Sequence, residues 1–315
     1  MSEIPLIVVA GPTASGKTGL AIDIANYTGG EIVSADSMQI YKYMDIGSAK
    51  PDPAERQRVP HHLIDIVDPN DTSFSVAAFQ QAADEVLRDL ERRNVQPILV
   101  GGSGLYCDAV LEDMGYALPS DKALRNRLEQ AYDDDPQAFF ERMAEDDGPS
   151  GQKLHVNDKK RVVRAREVLL LSGKPFSAFN QAYLAAQRNS RYPAVRIGLN
   201  MPREKLYAGI DRRVDRMMAQ GLLEEVKGLK AKGYNRKLPA MQAIGYAQLL
   251  AYLEGEVPLE TAVENIKRAT RQFAKRQLTW FRRDERIRWF DCENYEEAYQ
   301  EIERYVKETI YDRRA

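Results

Sequence analysis

Three features of the sequence predict an α/β fold in which a parallel-sheet core is interrupted by a helical insertion and followed by a mainly helical C-terminal part. Short, continuously apolar runs stop at glycines, as strands buried on both faces do. Stretches with helical spacing of apolar residues fall between them. A glycine-rich loop of fixed spacing joins the first run to the first helical stretch.

Residues 5–10, PLIVVA, are the first expected strand, ending at Gly11. Leu20, Ala21, Ile24 and Ala25 recur at helical spacing within 15–27, and Gly29-Gly30 close that helix. EIVSAD (31–36) reads as a second strand. A helix over 76–93 leads into a third, PILV (97–100), which stops at Gly101-Gly102. The character changes at about Leu118-Pro119: residues 121–150 hold 9 acidic and 4 basic side chains, and their DDDP and EDDGPSG read as a solvated helix end and a turn. Residues 153–191 hold 9 basic and 2 acidic side chains, and both pieces read as helical. AVRIGLN (194–200) is again strand-like. The chain therefore divides into a core, 1–118 with 193–315, and a helical insertion, 119–192. Beyond Met201 the sequence is mainly helical, with breaks at Gly233 and near Pro258.

The 315 residues are 43% apolar and carry 45 Lys+Arg against 47 Asp+Glu, a net charge of −2. Such a composition excludes disordered, collagen-like and disulfide-scaffold classes. Cys107 and Cys292 form no C-x-x-C pair, and with no export signal the expected setting is reduced and cytoplasmic. No apolar run approaches the ~18 residues that span a bilayer, so no membrane partner is expected.

Gly11-Pro12-Thr13-Ala14-Ser15-Gly16-Lys17-Thr18 fits G-x-x-x-x-G-K-[ST] between a strand and a helix. Glycines let successive backbone N–H groups point at phosphate oxygens, and the helix N-terminus adds partial positive charge. This makes the core P-loop NTPase-like. Lys17 would neutralise a terminal phosphate and Thr18 would ligate Mg²⁺. A hydrolase of ATP or GTP would bring a metal-holding acid at a buried strand end. Here PILV ends in Gly101-Gly102-Ser103, and the acid is Asp36, after the second strand. Ligands of open α/β sheets collect at the carboxyl ends of strands, so loop, Asp36 and Ser103 should share one crevice. Proton abstraction beside a phosphate leaving group is one role for Asp36; capping a turn is the other.

If 204–218 is a helix, Leu206, Ile210, Val214 and Met217 form its apolar stripe. Arg213 lies on that stripe and needs an anion, whether a ligand or an internal acid, while Arg212 and Arg216 point away. His61-His62 are adjacent and cannot share a face; with only His155 besides, a metal site is not expected, and they should pack near the crevice.

GPTASGKT, ADSMQIYKYMDIGSAKP (35–51), PHHLID (60–65), GGSGLY (101–106), RRVDRMMAQGLLEEV (212–226) and KRQLTWFRR (275–283) together resemble the bacterial tRNA dimethylallyltransferase (tRNA isopentenyltransferase) family over essentially the whole chain. That family commonly has Thr where this chain has Ser48 and Ser103, and both swaps keep a hydroxyl.

The resemblance implies transfer of a dimethylallyl group from dimethylallyl diphosphate to N6 of the adenosine 3′-adjacent to the anticodon, with diphosphate released. Gly11 to Thr18 would then bind diphosphate, with Mg²⁺ as the cofactor. Asp36 would be the general base, Ser103 would touch the bridging region of the diphosphate, and Lys17 and Arg213 would stabilise its charge.

By the same correspondence Asp36, Ser37, Met38 and Gln39 would contact tRNA. So would Lys160, Arg161, Val162, Val163 and Arg164, then Met241, Gln242, Ala243, Ile244, Gly245 and Tyr246. Lys275, Arg276, Gln277, Leu278, Thr279, Trp280, Phe281 and Arg282 complete the surface, with Ser103 and Arg125 nearby. The insertion would clamp the anticodon stem, and a monomer is expected.

Independent support comes from charge: 153–191 and 267–288 each carry a surplus of +7, the second interleaved with Phe273, Trp280 and Phe281. Basic runs with aromatics suit an unpaired RNA loop, whose target base must leave its stack, although solvated helix faces are the plain alternative. Three rivals remain at this stage: a small-molecule or nucleoside kinase, a prenyltransferase of free adenine nucleotides, and a non-catalytic RNA-binding module.

Overall fold

β-Branched, unbroken apolar runs have nowhere to go but the middle of a sheet, and the computed structural model puts them there. It describes residues 4–112, 121–179, 181 and 190–311. Among them, six strands form one wholly parallel sheet in the order β3-β2-β4-β1-β5-β6. The strands are β1 (Leu6–Ala10), β2 (Glu31–Ser34), β3 (His61–His62), β4 (Pro97–Gly101), β5 (Ala194–Asn200) and β6 (Arg288–Asp291). β1 lies between β4 and β5 with all five residues buried, and Ala10 is level with both Gly101 and Gly198.

Alternate residues of each strand feed two apolar layers. One holds Ile7, Val9, Ile32 and Ile98 with α1 (Lys17–Thr28) and the C-terminal α13 (Tyr295–Tyr311), which contributes Ile302 and Val306. The other holds Leu6, Val8, Val33 and Leu99 with α3 (Val76–Arg92), α4 (Gly104–Leu111), α10 (Leu222–Ala231), α11 (Tyr246–Leu253) and α12 (Leu259–Phe281). α3 shows how the sequence dictates this. Ser75 caps its first turn, and Phe79, Ala83, Leu87 and Leu90 make one buried stripe.

Three short elements depart from the sequence expectation. α2 (Pro53–Arg58) is one and a half turns started by an Asp52–Glu55 capping box and buries none of its residues, so no apolar period announces it. β3 is two residues long. β6 lies in a stretch expected to be helical: Phe290 is buried, Arg288 and Asp291 are exposed, and only pairing with β5 makes it a strand. The breaks at Gly233 (φ 89°) and Pro258 are present, and a further one falls at Gly221 (φ 99°), between α9 (Arg203–Ala219) and α10.

Residues 1–111 with 192–315 form one compact unit, and 112–191 form another. The second contains α5 (Lys122–Asp134), α6 (Pro136–Asp146), α7 (Gly148–Lys153) and α8 (Lys159–Ser172), packed on Tyr132, Phe139, Met143, Val162 and Val163. Its acidic turns are helix starts: the side chains of Asp121, Asp135, Asp147 and Asp158 each accept from a backbone N–H of the next helix. The expected boundary at Leu118-Pro119 and the basic residue Arg188 lie outside the described residues. No described helix is long and apolar enough to cross a membrane.

Candidate active site

The turn after β1 cannot be built from ordinary residues. Gly11 has φ 149° and a Cβ there would lie 3.1 Å from the Leu199 carbonyl oxygen, while Gly16, at the start of α1, has φ 89°. Ala14 joins them in the left-handed region with φ 63°. The Pro12 carbonyl accepts from Ser15 Oγ at 2.8 Å and from Lys17 Nζ at 2.6 Å, so the lysine ammonium stands over the loop.

This loop forms the floor of a cavity of about 470 Å³. Thr13, Ala14, Ser15, Gly16, Lys17, Thr18, Asp36, Ser37, Met38, Gln39 and Arg213 all line it. β2 ends at Ser34, and the turn that follows is organised by Asp36, whose Oδ1 accepts from Met38 N at 2.8 Å and Gln39 N at 3.4 Å. The capping alternative is therefore realised on Oδ1 alone. Ser103 Oγ accepts from Ser37 N at 2.9 Å and donates to Ser37 Oγ at 3.0 Å, tying the end of β4 to the Asp36 turn. Ser103 is one residue beyond the lining glycines Gly101 and Gly102, and its hydroxyl ties down the turn that carries Asp36.

Charge is unevenly spread. Burial, and then the neighbouring Arg213, bring the Lys17 ammonium down to about 7, against the pull of Asp36. Burial also holds Arg213 below the ordinary guanidinium range, with Asp36 again the stabilising neighbour. Arg213 comes from the α9 face that buries Leu206, Ile210 and Val214, where its spacing placed it. Two cations sharing one carboxylate make a site that gains from a bound polyanion. The hydroxyl of Thr18 is a hard oxygen donor that lines the cavity, and it suits a cation such as Mg²⁺ that brings phosphate and water ligands of its own. Met38, Met217, Ile244 and Phe273 supply an apolar wall. His61 also lines the cavity, its Nδ1 2.8 Å from the Val59 carbonyl, while His62 Nε2 meets Glu31 at 2.7 Å.

The residues expected at an RNA surface divide sharply. Gln242, Ala243, Ile244, Gly245 and Arg276 line the cavity. Lys160, Arg161, Lys275, Arg276, Thr279 and Arg282 are exposed. Met241 and Tyr246 are fully buried, Tyr246 donating to Glu225 at 2.6 Å; Val162, Val163 and Phe281 are core residues, and Leu278 packs beside Leu206 and Ile210. Met241, Tyr246, Val162, Val163 and Phe281 thus turn their side chains into the protein interior, while Leu278 is partly buried. Arg125 and Arg164 both bind the fully buried Glu167, the latter at 2.6 Å. Trp280 Nε1 donates to Asp108 at 2.9 Å.

Sequence reasoning missed Glu225. Its carboxylate accepts from Asp45 N, Ile46 N and Gly47 N at 2.9, 2.7 and 3.1 Å and from Tyr246, fixing the segment that brings Gly47 and Ser48 to the cavity. Nothing in the pattern of a helix's first turn distinguishes such an acid from a solvated one.

Fold and cavity together define a phosphate-loop α/β protein whose cavity sets two basic side chains near one carboxylate. Residues 39–284 match the IPP transferase family. The chain is 49% identical to a tRNA dimethylallyltransferase of Desulforudis audaxviator over 92% of each chain, and 48% identical to one of Geobacter metallireducens over 91% of this chain and 92% of that one. Among solved structures it resembles the full-length tRNA isopentenylpyrophosphate transferase of Bacillus halodurans, with TM-score 0.73, 38% identity and coverage of 98% of this chain and 97% of that one. A eukaryotic dimethylallyltransferase acting on tRNA gives TM-score 0.77 at 26% identity, over 99% of this chain and 77% of that one. The chain belongs to the IPP transferase family.

Proposed function

We propose that this enzyme transfers the dimethylallyl group of dimethylallyl diphosphate to N6 of the tRNA adenosine 3′-adjacent to the anticodon. The observation that carries the reading is the cavity itself: Lys17 and Arg213 line it together with one acid, Asp36, that acts on both, and with an apolar wall. The cations hold the diphosphate and the apolar wall takes the five-carbon chain. The bond from N6 to C1 forms as the C1–oxygen bond breaks, and the electron pair of that bond leaves on diphosphate. The adenine N6 lone pair is delocalised into the ring, so attack needs the N6 proton removed; Asp36 takes it on Oδ2, since Oδ1 is occupied by the Met38 and Gln39 amides.

Lys17, Arg213 and the loop amides stabilise the charge that grows on the leaving group. Mg²⁺ held by Thr18, when bound, supplies further neutralisation of the same charge. Ser103 keeps Asp36 aimed by holding Ser37. The exposed cations Lys275 and Arg282 of the core, and Lys160 and Arg161 of the helical unit 112–191, supply phosphate contacts for the anticodon stem-loop. Both cysteines are buried and unpaired, in accord with work in the reducing cytoplasm, where we expect a monomer.

The test is incubation of the purified protein with dimethylallyl diphosphate, Mg²⁺ and unmodified tRNA, followed by nucleoside mass spectrometry. One five-carbon unit on adenosine is expected. No gain, or a gain only on free AMP, overturns the proposal.

A further inference from the structure

Gln277 was expected at the RNA surface, within a run of cations and aromatics. On α12 it belongs instead to the inward stripe: Ala274, Gln277 and Phe281, at i, i+3 and i+7, are buried, while its neighbours Lys275 and Arg276 are exposed. A buried amide must place one acceptor and two donors. Gln277 Oε1 accepts from Thr13 N at 2.8 Å, and Nε2 donates to the Gly102 carbonyl at 2.9 Å. The two bonds fix the orientation of the amide, because the Thr13 N–H can be met only by its oxygen and the Gly102 carbonyl only by its nitrogen. Glycine at 102 is part of the fit, since a Cβ there would lie 2.2 Å from Nε2.

Thr13 is inside the phosphate loop after β1, and Gly102 is the first residue after β4, the strand paired with β1. One side chain thus spans the crevice between the ends of two neighbouring strands and holds the loop by a backbone amide. The geometry points to Gln277 as a positioning residue that sets the shape of the diphosphate cradle, with no part in reading RNA. This rests on the function proposed above, since it assumes that the cradle's ligand is a diphosphate. Loss of the brace leaves the Thr13 amide unpaired and the loop able to relax, so the cradle loses the arrangement that its phosphate contacts need.

The experiment measures the dissociation constants of inorganic diphosphate and of tRNA for the full chain and for Gln277→Met, which keeps the volume and removes both hydrogen bonds. The diphosphate constant should rise about tenfold, the equivalent of one lost hydrogen bond with its partner left buried, while the tRNA constant stays unchanged. Gly102→Ala, which displaces the amide without altering it, should give the same split. It also keeps the inference testable if Gln277→Met fails to fold. Weakened tRNA binding with unchanged diphosphate binding, or no change in either, overturns the inference. Because inorganic diphosphate is the probe, the outcome does not depend on which organic group the substrate carries; absence of diphosphate binding by the unsubstituted protein would overturn the parent proposal as well.

Discussion

Diphosphate binding should consume a proton, and Lys17 should be where it goes. In the free protein burial and Arg213 bring the Lys17 ammonium down to about 7, so near neutral pH a large share of the molecules carry a neutral amine. A diphosphate set against that amine favours the charged form, and the pKa in the complex rises. Between the free and bound values the complex holds more protons than the free protein, so affinity falls as pH rises through that window and is constant below it. Each pH unit above the free value should weaken binding by up to about tenfold, and each binding event in that range should take up as much as about one proton. Titration calorimetry in buffers of different ionisation heat, over roughly pH 6 to 9, measures both quantities. Diphosphate titrates in the same range, so Lys17→Arg is measured in parallel; its guanidinium stays charged throughout, and the ratio of the two constants isolates Lys17. If wild type and variant run parallel across the range, Lys17 is not the group that takes the proton and the reading of the cavity as cation-crowded is wrong.

Other consequences can be checked directly. Asp36→Asn keeps an oxygen for the Met38 and Gln39 amides, so the turn should survive while the rate of transfer falls by about 10²–10⁴, with tRNA affinity unchanged in filter binding. Glu225→Gln turns one of two carboxylate oxygens, which together face three backbone N–H groups, into a donor; a cost of about 1–3 kcal/mol should appear in calorimetry as a lowered unfolding temperature. Arg125→Ala strips one of two arginines from the buried Glu167. Hydrogen exchange should accelerate in α5 and α8, an effect that a residue serving RNA alone would not produce.

The elements that sequence revealed are those with local signatures. β1, the loop and α1 are written in an apolar run, two glycines and a helical stripe. Arg213 could be placed from the period of Leu206, Ile210 and Val214 alone. What stayed hidden depends on partners remote in sequence. β6 is a strand only because β5 offers an open edge, and its Arg288-Trp289-Phe290-Asp291 alternates too briefly to stand out from the basic run before it. Glu225 acts on residues some 180 positions earlier, and Gln277 on residues 175 and 264 positions away. A motif resemblance groups such residues with their sequence neighbours, and so Gln277 and Tyr246 were grouped with residues that face outward.

Charge behaves in the same way. The surpluses of 153–191 and 267–288 count only the acids inside each segment, yet many of their cations are engaged by acids outside. Lys159 pairs with Asp133 and Arg166 with Asp146; Lys267 pairs with Asp215, Arg271 with Asp211 and Arg288 with Glu301. Each pair removes a phosphate contact that the segment seemed to offer, unless RNA competes the acid away, and exposed pairs are weak enough for that competition to succeed. Lys17 and Arg213 differ in kind. They share one carboxylate inside a cavity, where charge is poorly screened, so the demand for an anion is set there by two residues and one acid, however the rest of the chain balances. Net charge of the chain bears on neither binding step. On the proposed function, the diphosphate would answer to the cations crowded at the loop, and the tRNA to those surface cations whose acid partners can be displaced.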